Sequence, residues 1–294
     1  MSENFSVRVG QRLIAGRKSD PARKPERGAT PLIVALHGGG FTSGYFDAGP
    51  YSLLDAASAA GCAAVALDRP GYGSSSPLPE GDRAIPRNAE FLRDAVAEIW
   101  RQRADDLTGV VLVGHSIGSL TSLHIAADPG DWPLLGVAVS GLGLGAPPIT
   151  PFWNDHGPEE WVETPTEYRL GLMFGQPGTY TADGPELSNT AARPVWWREI
   201  VESYTTWPDE AAGVASRVRV PVHLRQGAHD ILWPQGQNEI NRFAGILPNA
   251  PWVDAALVPT SGHCIDFHLT GATLHKEQVA FAIDCAARSV ADAS

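Results

Sequence analysis

The chain has 294 residues, 43% of them hydrophobic and 19% charged, and its formal net charge is −11. This length fits one large domain with an insertion or two small domains, and the apolar fraction is enough for a substantial core. An acidic balance without a long basic stripe argues against nucleic acid or an anionic membrane surface as partners.

The cysteines and the N-terminus bear on the compartment. Cys62, Cys264 and Cys285 are an odd number and lack metal-ligand spacing, which argues against a disulfide framework. The N-terminus lacks the apolar segment of a signal peptide, and no stretch approaches about 18 uninterrupted apolar residues. We therefore expect a cytoplasmic protein that does not bind a membrane.

Along the chain, short apolar runs predict strands buried on both faces, as parallel sheets require. An antiparallel hairpin turning at Gly10 is expected before them. The runs are PLIVALH (31–37), CAAVALD (62–68), GVVLVGH (109–115), LLGVAVSG (134–141), VPVHLRQG (220–227) and VDAALVP (253–259). Helical segments are predicted between or after them, at 49–60, 88–104, 117–127, 235–246 and 274–289. The alternation predicts an α/β protein with a mostly parallel sheet flanked by helices.

One region breaks this alternation. Residues 146–207 are rich in Pro, Gly, Trp and charged side chains, and they predict an inserted cap between two parts of a core domain, 1–145 and 208–294. The region holds five tryptophans: Trp153, Trp161, Trp196, Trp197 and Trp207. They could line an apolar pocket or form a small aromatic core that holds the cap together, and both interpretations stay open.

The strongest local motif is VVLVGHSIGS, residues 110–119, which places G-x-S-x-G between an apolar strand and a helix-forming run. Such a turn lifts Ser116 above the strand end, and Gly114 and Gly118 let neighbouring backbone approach. The N-terminus of the following helix favours negative charge at the same place. The motif predicts Ser116 as a nucleophile on a nucleophile elbow.

Two more motifs support one family. LHGGGF (36–41) follows the first parallel strand, and LDRPGYGSS (67–75) follows the next. With the serine motif, they make nearly the whole chain resemble the α/β-hydrolase superfamily, whose serine members include esterases, lipases and thioesterases. The resemblance implies the α/β-hydrolase fold with a helical cap. It also implies a structural turn at LDRPGYGSS, so we assign Asp68 and Arg69 no catalytic role.

The resemblance also implies an oxyanion hole, two N–H donors aimed at the charge that develops on a substrate carbonyl. Its donors would be the amides of Ile117 and Gly39. Gly40 is a near alternative, because the run of glycines leaves the register open. His37 is expected to brace this loop rather than to act as a base.

In the family the acid and the histidine follow the serine in chain order. Asp230 stands in the loop after the strand that ends near Gln226, and His263 follows the strand that ends at Val258. The rivals are His229 for the acid loop, which we interpret as a turn or pocket residue, and His268 for the base, which lies five residues later.

Cys264 lies directly after His263 and has no elbow to expose it, so we do not interpret it as a nucleophile. No cluster of His, Asp or Glu shows metal spacing, and no phosphate-binding glycine loop follows a strand. We expect no metal and no cofactor.

The implied activity is hydrolysis of a carboxylic ester, lactone or thioester of an apolar or aromatic small molecule, through an acyl-enzyme on Ser116. His263 would take the proton from Ser116 and return it to the leaving group, and Asp230 would orient the His263 ring. From base rates alone we expect a monomer or homodimer.

Three alternatives remain open. An amidase or aminopeptidase-like enzyme would need carboxylates for the substrate amine. Glu159, Glu160 and Glu163 could supply them, although an exposed helix start explains these acids equally well. A lyase, cyclase or perhydrolase could use the same three residues, and a binding module could use the same scaffold.

Overall fold

The computed structural model describes residues 2–22, 29–79, 81–145 and 156–292. Its strands are β1 (Glu3–Val9), β2 (Arg12–Ser19), β3 (Pro31–Leu36), β4 (Asp47–Ala48), β5 (Tyr51–Ser52), β6 (Ala63–Leu67), β7 (Gly109–His115), β8 (Leu134–Ser140), β9 (Trp161–Val162), β10 (Val195–Trp196), β11 (Val222–Gly227) and β12 (Val253–Val258). Its α-helices are α1 (Leu53–Ala59), α2 (Ala84–Arg103), α3 (Ile117–Ala127), α4 (Thr166–Phe174), α5 (Asp183–Thr190), α6 (Trp197–Thr205), α7 (Trp207–Ala215), α8 (Gln237–Gly245) and α9 (Gly271–Asp292).

Within these described ranges, eight strands form one sheet in the order β1-β2-β6-β3-β7-β8-β11-β12. The six strands β6, β3, β7, β8, β11 and β12 run parallel to one another, while β1 and β2 form an antiparallel hairpin at one edge, where β2 pairs antiparallel with β6. The hairpin turns at Gly10, whose φ of 59° suits glycine. The predicted hairpin, the six predicted strands and the α/β fold are confirmed.

The central strands are apolar throughout because both faces of the sheet are covered. On β3, Leu32 and Val34 belong to one hydrophobic cluster with residues of α2, α3 and α8. Ile33 and Ala35, on the opposite face, belong to a second cluster with residues of α1 and α9. In the part of the chain described, no helix combines the length and apolarity needed to cross a bilayer.

Helices α8 and α9 begin within three residues of the predicted positions, whereas α1 and α2 each begin four residues away, for different reasons. Helix α1 begins at Leu53 because Ser52 caps it, its hydroxyl accepting the N–H of Asp55 at 3.0 Å. Helix α2 begins four residues earlier than expected, at Ala84. The carboxylate of Glu202, which is remote in sequence, accepts the N–H groups of Ala84 and Ile85 and so caps the helix from α6.

The long connection between β8 and β11 contains β9, β10 and helices α4 to α7, and its residues 146–155 lie outside the described residues. It contacts the loops at one edge of the sheet. Thr42 N–H donates to the Ala191 carbonyl at 3.0 Å, and Cys264 N–H donates to that of Met173 at 2.9 Å. The connection therefore lies over the loops that follow β3 and β12.

The turn between β7 and α3 depends on two glycines. A Cβ on Gly114 would lie 2.6 Å from the carbonyl oxygen of Gly118, and a Cβ on Gly118 would overlap the carbonyl oxygen of Leu36. Because backbone atoms cannot move aside without displacing a central strand, no larger residue fits.

We predict that Gly118→Ala lowers the free energy of unfolding by about 2 kcal/mol or more, because the methyl group forces β3 and α3 apart. Urea unfolding followed by circular dichroism measures the change. The matched control is Gly213→Ala on α7, where a Cβ meets nothing within 4 Å. That variant should be at least as stable as the wild type, since alanine favours helix over glycine. Equal stability of Gly118→Ala and the wild type would contradict the prediction.

Candidate active site

The residues singled out from the sequence gather at one edge of the sheet. Gly39 follows β3, Ser116 follows β7, Asp230 follows β11 and His263 follows β12. These four strands are parallel, so their carboxyl ends lie together and the loops behind them converge.

Ser116 lies on a strained turn between β7 and α3. Its φ of 54° and ψ of −121° make it the one non-glycine residue with positive φ in the described part of the chain. Such a conformation persists only where surrounding contacts hold it. Ser116 N–H donates to the Ser140 carbonyl at 2.9 Å, and its own carbonyl accepts from Ser119 at 2.8 Å. Both bonds fix the turn and leave the hydroxyl free to project from it.

His263 and Asp230 form a buried pair. Nδ1 of His263 lies 2.8 Å from Oδ2 of Asp230, and the two side chains are 2% and 0% exposed. The other carboxylate oxygen of Asp230 accepts the N–H of Leu232 at 3.0 Å. A carboxylate held on two sides fixes the orientation of the ring, with Nδ1 towards Asp230 and Nε2 on the opposite side.

Ser116 and His263 line the same cavity, which has a volume of about 40 Å³. Residues of the β8–β11 connection and of the loop after β11 close it. The lining residues from these two segments are Thr164, Met173, Val195, Ile200, Ser203, Tyr204, Leu232 and Trp233. The cavity is mostly apolar, with hydroxyl groups on the side of α6.

Part of the loop of residues 38–40, here called the glycine loop, also lines the cavity. Gly39 and Ile117 both line the cavity, whereas Gly40 does not, and its carbonyl accepts from Arg193 at 2.8 Å. In the described residues, no backbone or side-chain atom accepts the N–H of Gly39 or Ile117. Two residues that line the cavity with Ser116 thus have amide donors without an acceptor in that part of the chain, and the amide of Ile117 lies at the N-terminus of α3, where negative charge is favoured.

The tryptophans of the β8–β11 connection lie elsewhere. Trp197 is buried in a small cluster with Val162 and Val195, and the indole of Trp207 enters the main core and donates to the Gly143 carbonyl at 2.9 Å. Trp153 lies outside the described residues. Trp161 and Trp196 stack on each other at the surface, their planes 13° apart. None of these four lines the cavity that contains Ser116, whereas Trp161 and Trp196 line a separate pocket of about 150 Å³ at the surface.

The glycine loop is held from outside the cavity. His37 Nε2 accepts the N–H of Arg69 at 3.0 Å, and Nδ1 lies 2.8 Å from the Gly38 carbonyl oxygen, which it bonds as donor. Burial lowers the pKa of His37 well below its usual value, and the positive charge of Arg69 lowers it further. His37 is therefore a neutral brace of this loop, as the sequence predicts.

The sequence assigned Arg69 to a structural turn and predicted no further role for it. Its guanidinium is fully buried and forms an ion pair with Glu199 of α6, which is also fully buried. Asp68 accepts the N–H of Ser43 at 2.6 Å and so holds the chain beyond the glycine loop. A positively charged residue directly after an apolar strand indicates that a buried partner is needed, but no nearby residue in the sequence identified Glu199 as that partner.

A second polar network lies behind His263. The His115 ring stacks on Tyr45, with centroids 4.7 Å apart, and lies 4.9 Å from the His263 ring. Tyr45 donates its hydroxyl proton to Asp266 at 2.8 Å, and Asp266 also lies 3.0 Å from Nε2 of His275 on α9. This network ties the loop that carries His263 to α9 and to the segment after β3.

The rival residues hold structural positions. Nε2 of His268 accepts the N–H of Gly262 at 3.2 Å, and its Nδ1 lies 3.1 Å from the Thr179 hydroxyl. His229 is half-buried and is absent from the residues that line the cavity. Cys264 is buried, and burial raises the pKa of its thiol well above the usual value, which disfavours a thiolate.

Charged groups suited to other chemistry are not found at the cavity. Glu159 pairs with Arg198, Glu160 bonds the N–H of Gly157 at 2.9 Å, and neither these acids nor Glu163 line the cavity. Within the described ranges, no group of three or more His, Cys, Asp or Glu side chains could hold a metal ion.

The sequence was compared with models of protein families and with curated proteins. The profile of the alpha/beta hydrolase family matches residues 33–273. None of the curated proteins matches the sequence.

Solved structures share the fold over nearly the whole chain. A membrane phospholipase A aligns with a TM-score of 0.68 and 18% identity, over 96% of this chain and 87% of its own. A putative lipase from Acinetobacter baumannii AYE has a TM-score of 0.67 and 16% identity, over 98% and 93%. A putative aryl esterase from Burkholderia cenocepacia has a TM-score of 0.66 and 18% identity, over 96% and 99%.

We predict that His115 stays neutral in the folded protein throughout the physiological range. Burial, reinforced by the nearby His263, lowers the pKa of His115 from 6.5 to about 3. Because the unfolded chain binds a proton at this histidine near pH 6.5 and the folded protein does not, His115 contributes to a loss of stability as the pH falls from 6.5 towards 3.

Nitrogen-detected NMR of the ring should show no His115 titration between pH 8 and pH 5. In His115→Gln, the free energy of unfolding should fall less steeply with falling pH, and the difference in slope should correspond to about one bound proton. A titration midpoint near 6.5 in the folded protein would contradict the prediction.

Proposed function

The chain belongs to the alpha/beta hydrolase family, and we propose that it is a serine hydrolase in which Ser116 is the nucleophile, His263 the base and Asp230 the residue that orients the base. The observation that carries the proposal is the buried 2.8 Å contact of His263 with Asp230, beside a cavity that His263 shares with Ser116. A histidine held through Nδ1 presents Nε2 to the same cavity as the serine hydroxyl, as acyl transfer requires.

In the proposed first step, the Ser116 hydroxyl oxygen attacks the substrate carbonyl carbon and His263 Nε2 takes the hydroxyl proton. The carbonyl oxygen gains negative charge, which the N–H groups of Gly39 and Ile117 stabilise as the oxyanion hole. The Asp230 carboxylate stabilises the imidazolium that forms. Collapse of the tetrahedral species breaks the bond to the leaving group, which departs with the proton from His263.

In the second step, water attacks the acyl-enzyme. His263 removes one proton from the water, the oxyanion forms again at Gly39 and Ile117, and the Ser116 oxygen leaves as it recovers a proton from His263. The products are a carboxylic acid and the group that left in the first step. No group beyond the chain and water is needed to balance either step.

The substrate that fits this proposal is a carboxylic ester, lactone or thioester with a compact apolar acyl group. The cavity is small and mostly apolar, and α6 closes one side of it with Ile200 and Tyr204. Residues 146–207 would act as the cap that selects the substrate. The absence of the three glutamates from the cavity wall favours an ester-like bond over a peptide with a free amine.

We predict that purified protein hydrolyses p-nitrophenyl butyrate and that Ser116→Ala lowers kcat/KM by about three orders of magnitude or more, because the acyl-enzyme can no longer form. Release of p-nitrophenolate measures turnover. The matched control is Ser122→Ala, also on α3, whose hydroxyl only donates to the Gly118 carbonyl at 2.8 Å. It should keep its activity.

A fluorophosphonate probe separates the failures of this proposal. If no ester is turned over but the probe labels Ser116, the nucleophile stands and the substrate is of another kind. If Ser116 is not labelled either, the assignment of the nucleophile is wrong.

We further predict that kcat/KM falls by about tenfold or more from p-nitrophenyl butyrate to the octanoate, because a longer chain does not fit a cavity closed by α6. Ile200→Ala enlarges the cavity and should raise the octanoate rate relative to the butyrate rate. Leu170→Ala, at an exposed position on α4, is the control and should leave the ratio unchanged. A rate that rises with acyl length in the wild type would contradict the prediction.

A further inference from the structure

Arg69 bonds the backbone on the outer side of the glycine loop. Its Nε donates to the His37 carbonyl at 2.8 Å, and its Nη2 donates to the Gly38 carbonyl at 3.2 Å. The Gly38 carbonyl also accepts from His37 Nδ1 at 2.8 Å. Two donors thus hold one carbonyl group on the side of His37 and Arg69, neither of which lines the cavity.

The direction of that carbonyl decides the direction of the next amide. In a trans peptide the C=O of one residue and the N–H of the next point in opposite directions. The peptide that carries the Gly38 carbonyl also carries the Gly39 N–H, and Gly39 lines the cavity. By holding the carbonyl, Arg69 and His37 turn the Gly39 N–H to the side where an oxyanion would form. A rotated peptide would present a carbonyl oxygen there instead and would repel the developing charge.

Arg69 is held in turn by α6. The Glu199 carboxylate accepts hydrogen bonds from both terminal nitrogens of the guanidinium, with Nη2 donating to Oε2 at 3.0 Å. Tyr72 donates to the same carboxylate at 2.8 Å, and Asn88 of α2 donates to it at 3.1 Å. With both partners of the ion pair fully buried, neither charge can be satisfied by water, so the guanidinium keeps its place only while α6 is docked.

The same helix forms a wall of the cavity. Ile200, Ser203 and Tyr204 of α6 line it, and Glu199 lies on the same short helix. One helix therefore contacts the space for the substrate directly and contacts the glycine loop through Arg69.

We propose that Arg69 and Glu199 are positioning residues that orient the Gly39 N–H, so that the oxyanion hole is complete only when α6 is docked against the cavity. This inference rests on the proposed function, because it assigns Gly39 as an oxyanion donor. It makes the wall of the acyl site and the oxyanion hole form together. A substrate that binds against α6 then stabilises the arrangement that its own transition state needs.

The first test is Glu199→Gln, which keeps the side-chain length and removes the charge. We expect kcat for p-nitrophenyl butyrate to fall by about ten- to a hundredfold with KM within about twofold of wild type, because the hole acts on the transition state. An alkylboronic acid, whose adduct on the Ser116 oxygen places a B–O oxygen in the hole, should lose affinity by a similar factor. An unchanged kcat in Glu199→Gln would overturn the proposal.

Glu202→Gln is the matched control. Glu202 is a buried acid on the same helix, but its carboxylate accepts the N–H groups of Ala84 and Ile85 and does not bond the glycine loop. We expect a lower urea midpoint with kcat and boronate affinity preserved. If Glu202→Gln lowers kcat as much as Glu199→Gln does, the effect is general loosening of α6 and the proposal is overturned.

Arg69→Lys tests the geometry without removing the charge, and it serves if Glu199→Gln fails to fold. One ammonium can pair with Glu199 but cannot replace the planar fork that bonds two loop carbonyls and a carboxylate together. We expect a folded variant with reduced kcat and little change in KM. Wild-type kcat in Arg69→Lys would overturn the proposal.

The rate at which a fluorophosphonate labels Ser116 separates this inference from the proposed function. The probe bonds the serine oxygen with loss of fluoride and places its P=O oxygen in the hole, so it needs no ester substrate. If the wild type is labelled but hydrolyses no ester, slower labelling of Glu199→Gln than of Glu202→Gln still supports the inference. Ester hydrolysis by the wild type with equal labelling of both variants overturns the inference and leaves the proposed function standing.

Discussion

The backbone conformation of Ser116 is the constraint on which the candidate site depends. A φ of 54° in a serine is unfavourable by itself, and it persists because β7 and α3 meet at a turn with no space for relaxation. Gly114 and Gly118 allow that close contact, with Gly118 directly against the backbone of β3. The same turn aims the N-terminus of α3 at the cavity, so one local geometry exposes the hydroxyl and leaves the Ile117 amide beside it.

Around this turn the protein buries several charges, which is costly unless each is paired and hydrogen-bonded. Asp230 is paired with His263, and Asp266 with His275. The Asp230–His263 pair joins two loops 33 residues apart, and the hydrogen bond from Tyr45 to Asp266 spans 221 residues, so the loops after the parallel strands are held by polar contacts as well as by apolar packing. Hydrogen bonds fix the orientation of the groups that they join. The proposed mechanism requires a fixed orientation of the His263 ring and of the Gly39 and Ile117 amides.

Helix α6 combines three contacts that would be unrelated in the sequence. Glu199 pairs with Arg69 under the glycine loop, and Glu202 caps α2. Ile200 and its neighbours face the cavity. Since these contacts share one helix of nine residues, the wall of the cavity and the glycine loop are physically linked. Of the buried tryptophans of the same connection, Trp197 packs within the connection and Trp207 packs into the main core.

The sequence by itself determined the strands, the hairpin at Gly10 and the turn at Ser116, because apolar periodicity and glycine spacing act over a few residues. Chain order also indicated Asp230 and His263, which the structure brings to 2.8 Å. Only the tertiary structure decided the earlier start of α2 and the partner of Arg69, which is 130 residues away. The tertiary structure also decided the contacts of the tryptophans, since Trp207 packs into the main core and Trp161 stacks on Trp196. Local preferences are written in neighbouring residues, whereas a buried charge or ring takes the partner that folding brings to it.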